Sequence, residues 1–135
     1  MDSLDRHDDY GQESLDETHL SADPIDQFKT WLMEAEAEGI YEPNAFVLST
    51  INPDNTPSSR TVLLKAVNDH GFSFFTNFGS RKGKSLEQNP KVSAVFGWYS
   101  MYRQVLIEGE VKKVSDKEAD DYFHSRPHES QVAAW

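Results

Sequence analysis

Arg81 and Lys82 stand where the sequence opens a helix, inside the run Phe74-Phe75-Thr76-Asn77-Phe78-Gly79-Ser80-Arg81-Lys82-Gly83-Lys84. An apolar strand here runs into a turn holding glycine, serine and three cations. A helix N-terminus carries partial positive charge and unpaired N–H donors, so cations there oppose the dipole unless an anion is present. The arrangement suits a phosphate, with the hydroxyls of Thr76 and Ser80 beside it. A solvated basic turn would explain this run alone. It does not explain why Arg60, Lys65 and Arg103 also sit in or beside strand-like segments, where an unpaired cation is costly.

A second group of the same chemistry lies further on. Tyr122, Arg126 and Ser130 fall at i, i+4 and i+8, one stripe of a helix if that helix continues past Pro127. Together they can clamp another anion. Arg60 and Lys65 are five apart on one strand, so period-2 alternation puts them on opposite faces unless a bulge intervenes. They should reach different parts of a ligand, or two ligands. Gln104 can offer its amide to a heterocycle as donor or acceptor, or simply face water at a turn. Trp98, Tyr99 and Tyr102 could stack on a flat ring, although an aromatic cluster at a strand end is more often core or interface. His124 and His128 have helical metal-ligand spacing, but no third ligand falls at a suggestive distance and no metal is expected. No Ser/His/Asp pattern or carboxylate pair stands out, so hard chemistry would have to come from a cofactor.

The composition narrows the class. The chain has 135 residues, 37% of them hydrophobic, and no cysteine, which fits one compact domain and excludes disulfides and thiolate catalysis. No apolar run is long enough to cross a bilayer and no charged-then-apolar leader is visible, so a soluble, cytoplasmic protein without a membrane partner is expected. The net charge is −10. Residues 1–42 carry thirteen acids and two bases, whereas 54–103 carry seven bases and three acids. A local basic centre in an acidic chain fits one small anionic ligand in a pocket. It argues against nucleic acid, which needs a broad positive face.

These groups need elements to hold them. Residues 1–20 read as a flexible acidic arm and 21–135 as the folded domain. Asp23 and Pro24 signal a helix over 24–38, with Ile25, Phe28 and Leu32 on one face and Gly39 at its end. Strands are expected at 45–51, 58–67 and 72–76, joined by turns at 52–55 and 68–71. A helix over 82–88, strands at 92–98 and 105–114, and a helix capped by Ser115 with Glu118 follow. Another helix is expected to open at 129. The order describes an α+β protein of mainly antiparallel strands built on a small barrel.

Asp23-Pro24 with Phe28 and Trp31, residues 60–65 (RTVLLK), 76–82 (TNFGSRK), Arg103-Gln104-Val105 and residues 122–131 (YFHSRPHESQ) resemble the pyridoxine/pyridoxamine 5'-phosphate oxidase family. The likeness runs in order from about residue 21 to 135, and the motifs are specific as a set. It implies a split β-barrel of the FMN-binding type, a homodimer, and FMN at the dimer interface. It also implies oxidation of pyridoxamine or pyridoxine 5'-phosphate to pyridoxal 5'-phosphate, with dioxygen as acceptor and hydrogen peroxide as product. Carried over by position, Arg60, Thr61, Val62, Leu63, Leu64, Lys65, Phe75 and Thr76 would line FMN, with Arg81 and Lys82 on its phosphate. Gln104 would reach FMN from the other part of the dimer site. Lys65, Tyr122, Arg126 and Ser130 would grip the substrate phosphate. Tyr10 and His7 would belong to an arm over the substrate, and His128 stands where arginine is common.

The resemblance further implies that such chains continue past Trp135. The continuation would supply a tryptophan and an arginine for FMN and an arginine–histidine pair over the substrate ring, so these residues read as an N-terminal portion. The alternative is a split-barrel protein that holds a flavin or pyridoxal phosphate without turning it over. A reductase with a different flavin-like cofactor is a third reading, against which the stripe at Tyr122, Arg126 and Ser130 argues.

Overall fold

The computed structural model describes residues 2–5, 18, 20–75 and 81–114, with backbone alone at 2, 5 and 81–83. Asp2–Asp5 form one helical turn, α1. The first long helix, α2 (Pro24–Ala37), opens as the sequence predicts. The Asp23 carboxylate accepts from the Ile25 N–H at 2.9 Å, and Pro24 stands in the first turn, where its missing N–H leaves nothing unpaired. Gly39, at φ +77°, carries the chain out of the helix through a backbone geometry that side chains strain to adopt.

Five strands follow: β1 (Ala45–Ile51), β2 (Pro57–Asn68), β3 (Gly71–Phe74), β4 (Lys91–Trp98) and β5 (Arg103–Glu110). The helix α3 (Arg81–Gln88) lies between β3 and β4 in sequence. Every pairing is antiparallel, and the strand order is β3-β2-β1-β4-β5. The sheet curls into the split-barrel form, with β1 at its centre. β3 is an edge strand and β4 lies beyond β1. Between them in sequence, α3 docks against β1.

β5 differs from expectation at both ends. β5 starts at Arg103, because a short 3-10 turn (Tyr99–Met101) with Tyr102 at φ +54° folds the hairpin tightly. Arg103 and Gln104 then face Trp98 and Gly97 and join the ladder, which satisfies their backbone groups. β5 ends at Glu110 rather than 114, because Lys91 is the last partner β4 offers. The Val111 N–H closes on the Pro90 carbonyl at 2.9 Å. The expected strand at 72–76 is described as far as Phe74, with Phe75 just outside it. The expected helices from Ser115 and from 129 lie outside the described residues, as does most of the 1–20 arm.

Alternation on the strands builds the core. Phe46 and Leu48 from β1, Val62 and Leu64 from β2, and Ala94, Phe96 and Trp98 from β4 turn to one side and are buried. α2 closes over them with Phe28 and Ala35. The Phe28 ring meets Phe72 and Phe96 edge-on, each with centroids 4.9 Å apart. Trp98 belongs to this core: it is 1% exposed, and its Nε1 donates to the Pro43 carbonyl at 2.9 Å. Tyr99 and Tyr102, by contrast, are exposed. No helix among the described residues is long and apolar enough to cross a membrane.

Phe28 is the main aromatic link between α2 and the sheet. Phe28→Ala should lower unfolding stability by about 3–5 kcal/mol in a urea titration, through lost burial and a residual cavity. Asp23→Ala removes only the helix cap and should cost about 1 kcal/mol in the same experiment.

Candidate functional site

Arg60 lies on the inward side of β2. Ser58, Arg60, Val62 and Leu64 turn in, while Ser59, Thr61, Leu63 and Lys65 are exposed. Arg60 and Lys65 thus occupy opposite faces, as the odd spacing predicts. The register of β2 against β3 slips between Leu64 and Ala66, so Lys65 sits at the bulge. Both Lys65 and Ala66 are exposed there, and inward parity resumes at Val67. A bulge re-aims the side chain it carries, which gives Lys65 its own direction at the sheet's outer face.

The Arg60 guanidinium has fixed anchors. Its Nη1 donates to Thr50 Oγ1 at 2.6 Å and to the Leu48 carbonyl at 3.2 Å. Both of these acceptors are neutral oxygens, and together they orient the group. Thr50 is 1% exposed, and the inward row Phe46, Leu48, Thr50 turns from apolar to polar at this point.

The next inward residue, Asn52, ties the turn after β1 to α3. Its Nδ2 donates to Ser58 Oγ at 2.6 Å and to Thr56 Oγ1 at 3.0 Å. Its Oδ1 accepts from Ser85 Oγ at 3.2 Å. Ser85 is fully buried and Leu86 nearly so, and they form the docked side of α3. Ser85 is four residues, about one helical turn, from Arg81 at the start of α3. Ser58 is two residues from Arg60 on the same face of β2. Arg60 and the docked side of α3 therefore lie on the same side of the β1–β2 pair. The first turn of α3 contains no acidic residue, and its sequence brings Arg81, Lys82 and Lys84.

Gln104 is elsewhere in the chain. It is exposed on β5 opposite Gly97, and β4 and β1 separate it from β2. Three strand spacings amount to about 14 Å, so one chain does not bring Gln104 against Leu63 or Lys65. It borders a groove of about 380 Å³ with Gln27, Phe28, Trp31 and Leu106. Another open groove, about 580 Å³, is lined by Ser49, Lys91, Ser93, Glu108 and Glu110. It contains two acids and one base, and so does not suit an anion.

Arg103 is not part of an anion seat. It forms an ion pair with Glu34 of α2, and its guanidinium lies 4.8 Å from the centre of the Trp31 ring. The strand-borne cation that looked costly is thus a clamp between α2 and β5. Phe75 is half-buried at the end of β3. Thr76, Ser80, Tyr122, Arg126, Ser130, His124, His128, Tyr10 and His7 lie outside the described residues. Sequence reasoning passed over Thr50, Asn52 and Ser85. The signal was present: Thr50 and Asn52 fall at inward parity in β1 and the turn after it, where polar residues require partners.

The sequence profile of the family described as pyridoxamine 5'-phosphate oxidase matches residues 32–135. A pyridoxine/pyridoxamine 5'-phosphate oxidase of Cupriavidus necator is 51% identical over 122 residues, covering 90% of this chain and 58% of that protein. Its counterpart from Salinibacter ruber is 47% identical over 131 residues, covering 97% and 61%. That of Actinobacillus pleuropneumoniae serotype 3 is 47% identical over all 135 residues, and the match covers 64% of the relative. The chain thus spans about three-fifths of these curated relatives. Among solved structures, PhzG from Burkholderia lata 383, in complex with tetrahydrophenazine-1-carboxylic acid, aligns with a TM-score of 0.77 and 29% identity over 82% of this chain and 55% of that one. A pyridoxamine 5'-phosphate oxidase-related, FMN binding protein from Nostoc punctiforme aligns at 0.61 with 17% identity, over 85% and 59%, a likeness of fold alone. With a profile covering most of its length and the split-barrel sheet to match, the chain belongs to the pyridoxamine 5'-phosphate oxidase family.

Proposed function

We propose that the protein is an FMN-dependent oxidase that converts pyridoxamine or pyridoxine 5'-phosphate into pyridoxal 5'-phosphate. Dioxygen takes the two electrons and becomes hydrogen peroxide. With the alcohol no other reactant is needed; with the amine, water enters and ammonia leaves. The observation that carries the reading is that Arg60, anchored by Thr50, and α3, anchored through Ser85 to Asn52, share one side of the β1–β2 pair. A flavin phosphate is a compact dianion, and an oriented guanidinium with an acid-free helix N-terminus on the same side of the sheet fits it.

In this reading Arg60, Thr61, Val62, Leu63, Leu64, Lys65, Phe75 and Thr76 line the flavin, and Arg81 and Lys82 join Arg60 around its phosphate. Bound FMN supplies the two-electron acceptor that side chains cannot provide. Lys65, Tyr122, Arg126 and Ser130 hold the substrate phosphate. Gripping the substrate by a group remote from the reacting carbon fixes its orientation, which is where such binding energy lowers the barrier.

Gln104 serves the site from a second copy of the chain. Supporting this homodimer, the outer face of the sheet exposes Val47, Leu63 and Leu106 to 40%, 47% and 66%. Apolar area of this kind favours a partner surface. A cytoplasmic location belongs to the same reading.

The complete protein mixed with FMN and pyridoxamine 5'-phosphate should release peroxide in a coupled assay, with equal moles of pyridoxal 5'-phosphate. Flavin binding without either product would reject the oxidase and leave a flavin-binding module. Arg126→Ala should raise KM for the phosphorylated substrate about 10–100-fold while FMN affinity stays within twofold, as lost charged hydrogen bonds to the substrate alone require.

A further inference from the structure

We infer that Thr50 is a positioning residue for the flavin phosphate: its buried hydroxyl fixes the Arg60 guanidinium on the side of the sheet where α3 docks and so sets the preference for phosphorylated over unphosphorylated flavin. The inference rests on the FMN reading above and assigns a role to a side chain that would not touch the cofactor.

Thr50 stands in a row of inward residues after Phe46 and Leu48, at 1% exposure. Valine would fill the same shape, favour a strand equally and bring no polar atom to satisfy. The hydroxyl there accepts from Arg60 Nη1 at 2.6 Å, and the Leu48 carbonyl takes the same nitrogen at 3.2 Å. Two acceptors on one nitrogen restrict a long side chain before any ligand arrives. A preorganised cation binds an anion without losing that freedom at the moment of binding.

The anchor also belongs to a frame. Two residues along from Thr50, Asn52 holds Ser58 and Ser85, at 2.6 and 3.2 Å. The Thr50–Arg60 bond fixes the guanidinium, and the Asn52–Ser85 bond fixes the helix. Both start from the same end of β1, so Arg60 and α3 are held by one frame. A threonine that merely met its own hydrogen-bonding need would have no reason to affect one flavin more than another.

Flavin fluorescence quenching on the full chain, titrated with FMN and separately with riboflavin, tests this. Thr50→Val should lose about tenfold in FMN affinity while riboflavin affinity stays within twofold, and Thr50→Ser should return FMN affinity to within threefold of wild type. In an Arg60→Ala background, Thr50→Val should change FMN affinity less than twofold, since its effect passes through Arg60. An unchanged FMN-to-riboflavin ratio in Thr50→Val, or equal loss for both flavins, overturns the role of Thr50 and leaves the FMN reading standing. If Thr50→Val does not fold, Thr50→Ala carries the same comparison. Equal affinity of the wild-type chain for the two flavins removes the phosphate seat itself, and the role of Thr50 with it.

Discussion

A guanidinium turned toward the inside of a β-sheet has to be held by acceptors, and the region around the candidate site is arranged by that requirement. Arg60 meets it through Thr50 and the Leu48 carbonyl. Thr50 in turn must be buried where a hydroxyl can reach β2, which places a polar residue in a row that is otherwise aromatic and aliphatic. The same rule applies one step further, where Asn52 donates to Ser58 and Thr56 and accepts from Ser85. Unpaired, any of these buried groups would cost stability. Paired, they join β1, β2, the turn after β1 and α3 into a connected polar seam.

Beside the seam lies a dry core. Phe28, Phe46, Phe96 and Trp98 pack by edge and offset contacts, and α2 is fastened over them by Phe28 and by the Arg103–Glu34 pair. The two halves of the inner face have different duties. The aromatic half supplies most of the burial that holds the sheet and α2 together. The polar half gives up some apolar area and fixes the direction of Arg60 and the start of α3. Rigid strands on either side make that direction reproducible, which a loop could not.

The outer face has a different character. Val47, Leu63 and Leu106 are partly open, and Lys65 stands at a bulge on the same side. Gln104 shares this face but is separated from Lys65 by the width of β1 and β4. Family residues attributed to one cofactor site are therefore split between two positions in a single chain.

Local chemistry in the sequence determined a good deal. Asp23-Pro24 set the start of α2, turn residues at 52–55 and 68–71 separated β1, β2 and β3, and odd spacing put Arg60 and Lys65 on opposite faces. Family motifs were legible too, because they are short, ordered and specific as a set. The tertiary structure alone decided who meets whom. Arg103 found Glu34 across 69 residues, Trp98 found the Pro43 carbonyl across 55, and Ser85 found Asn52 across 33. Capping, alternation and turn preference depend on neighbours a few positions away, so they can be read along the chain. The partner of a buried donor depends on which strands lie side by side. That is fixed only when the whole sheet has closed on its core.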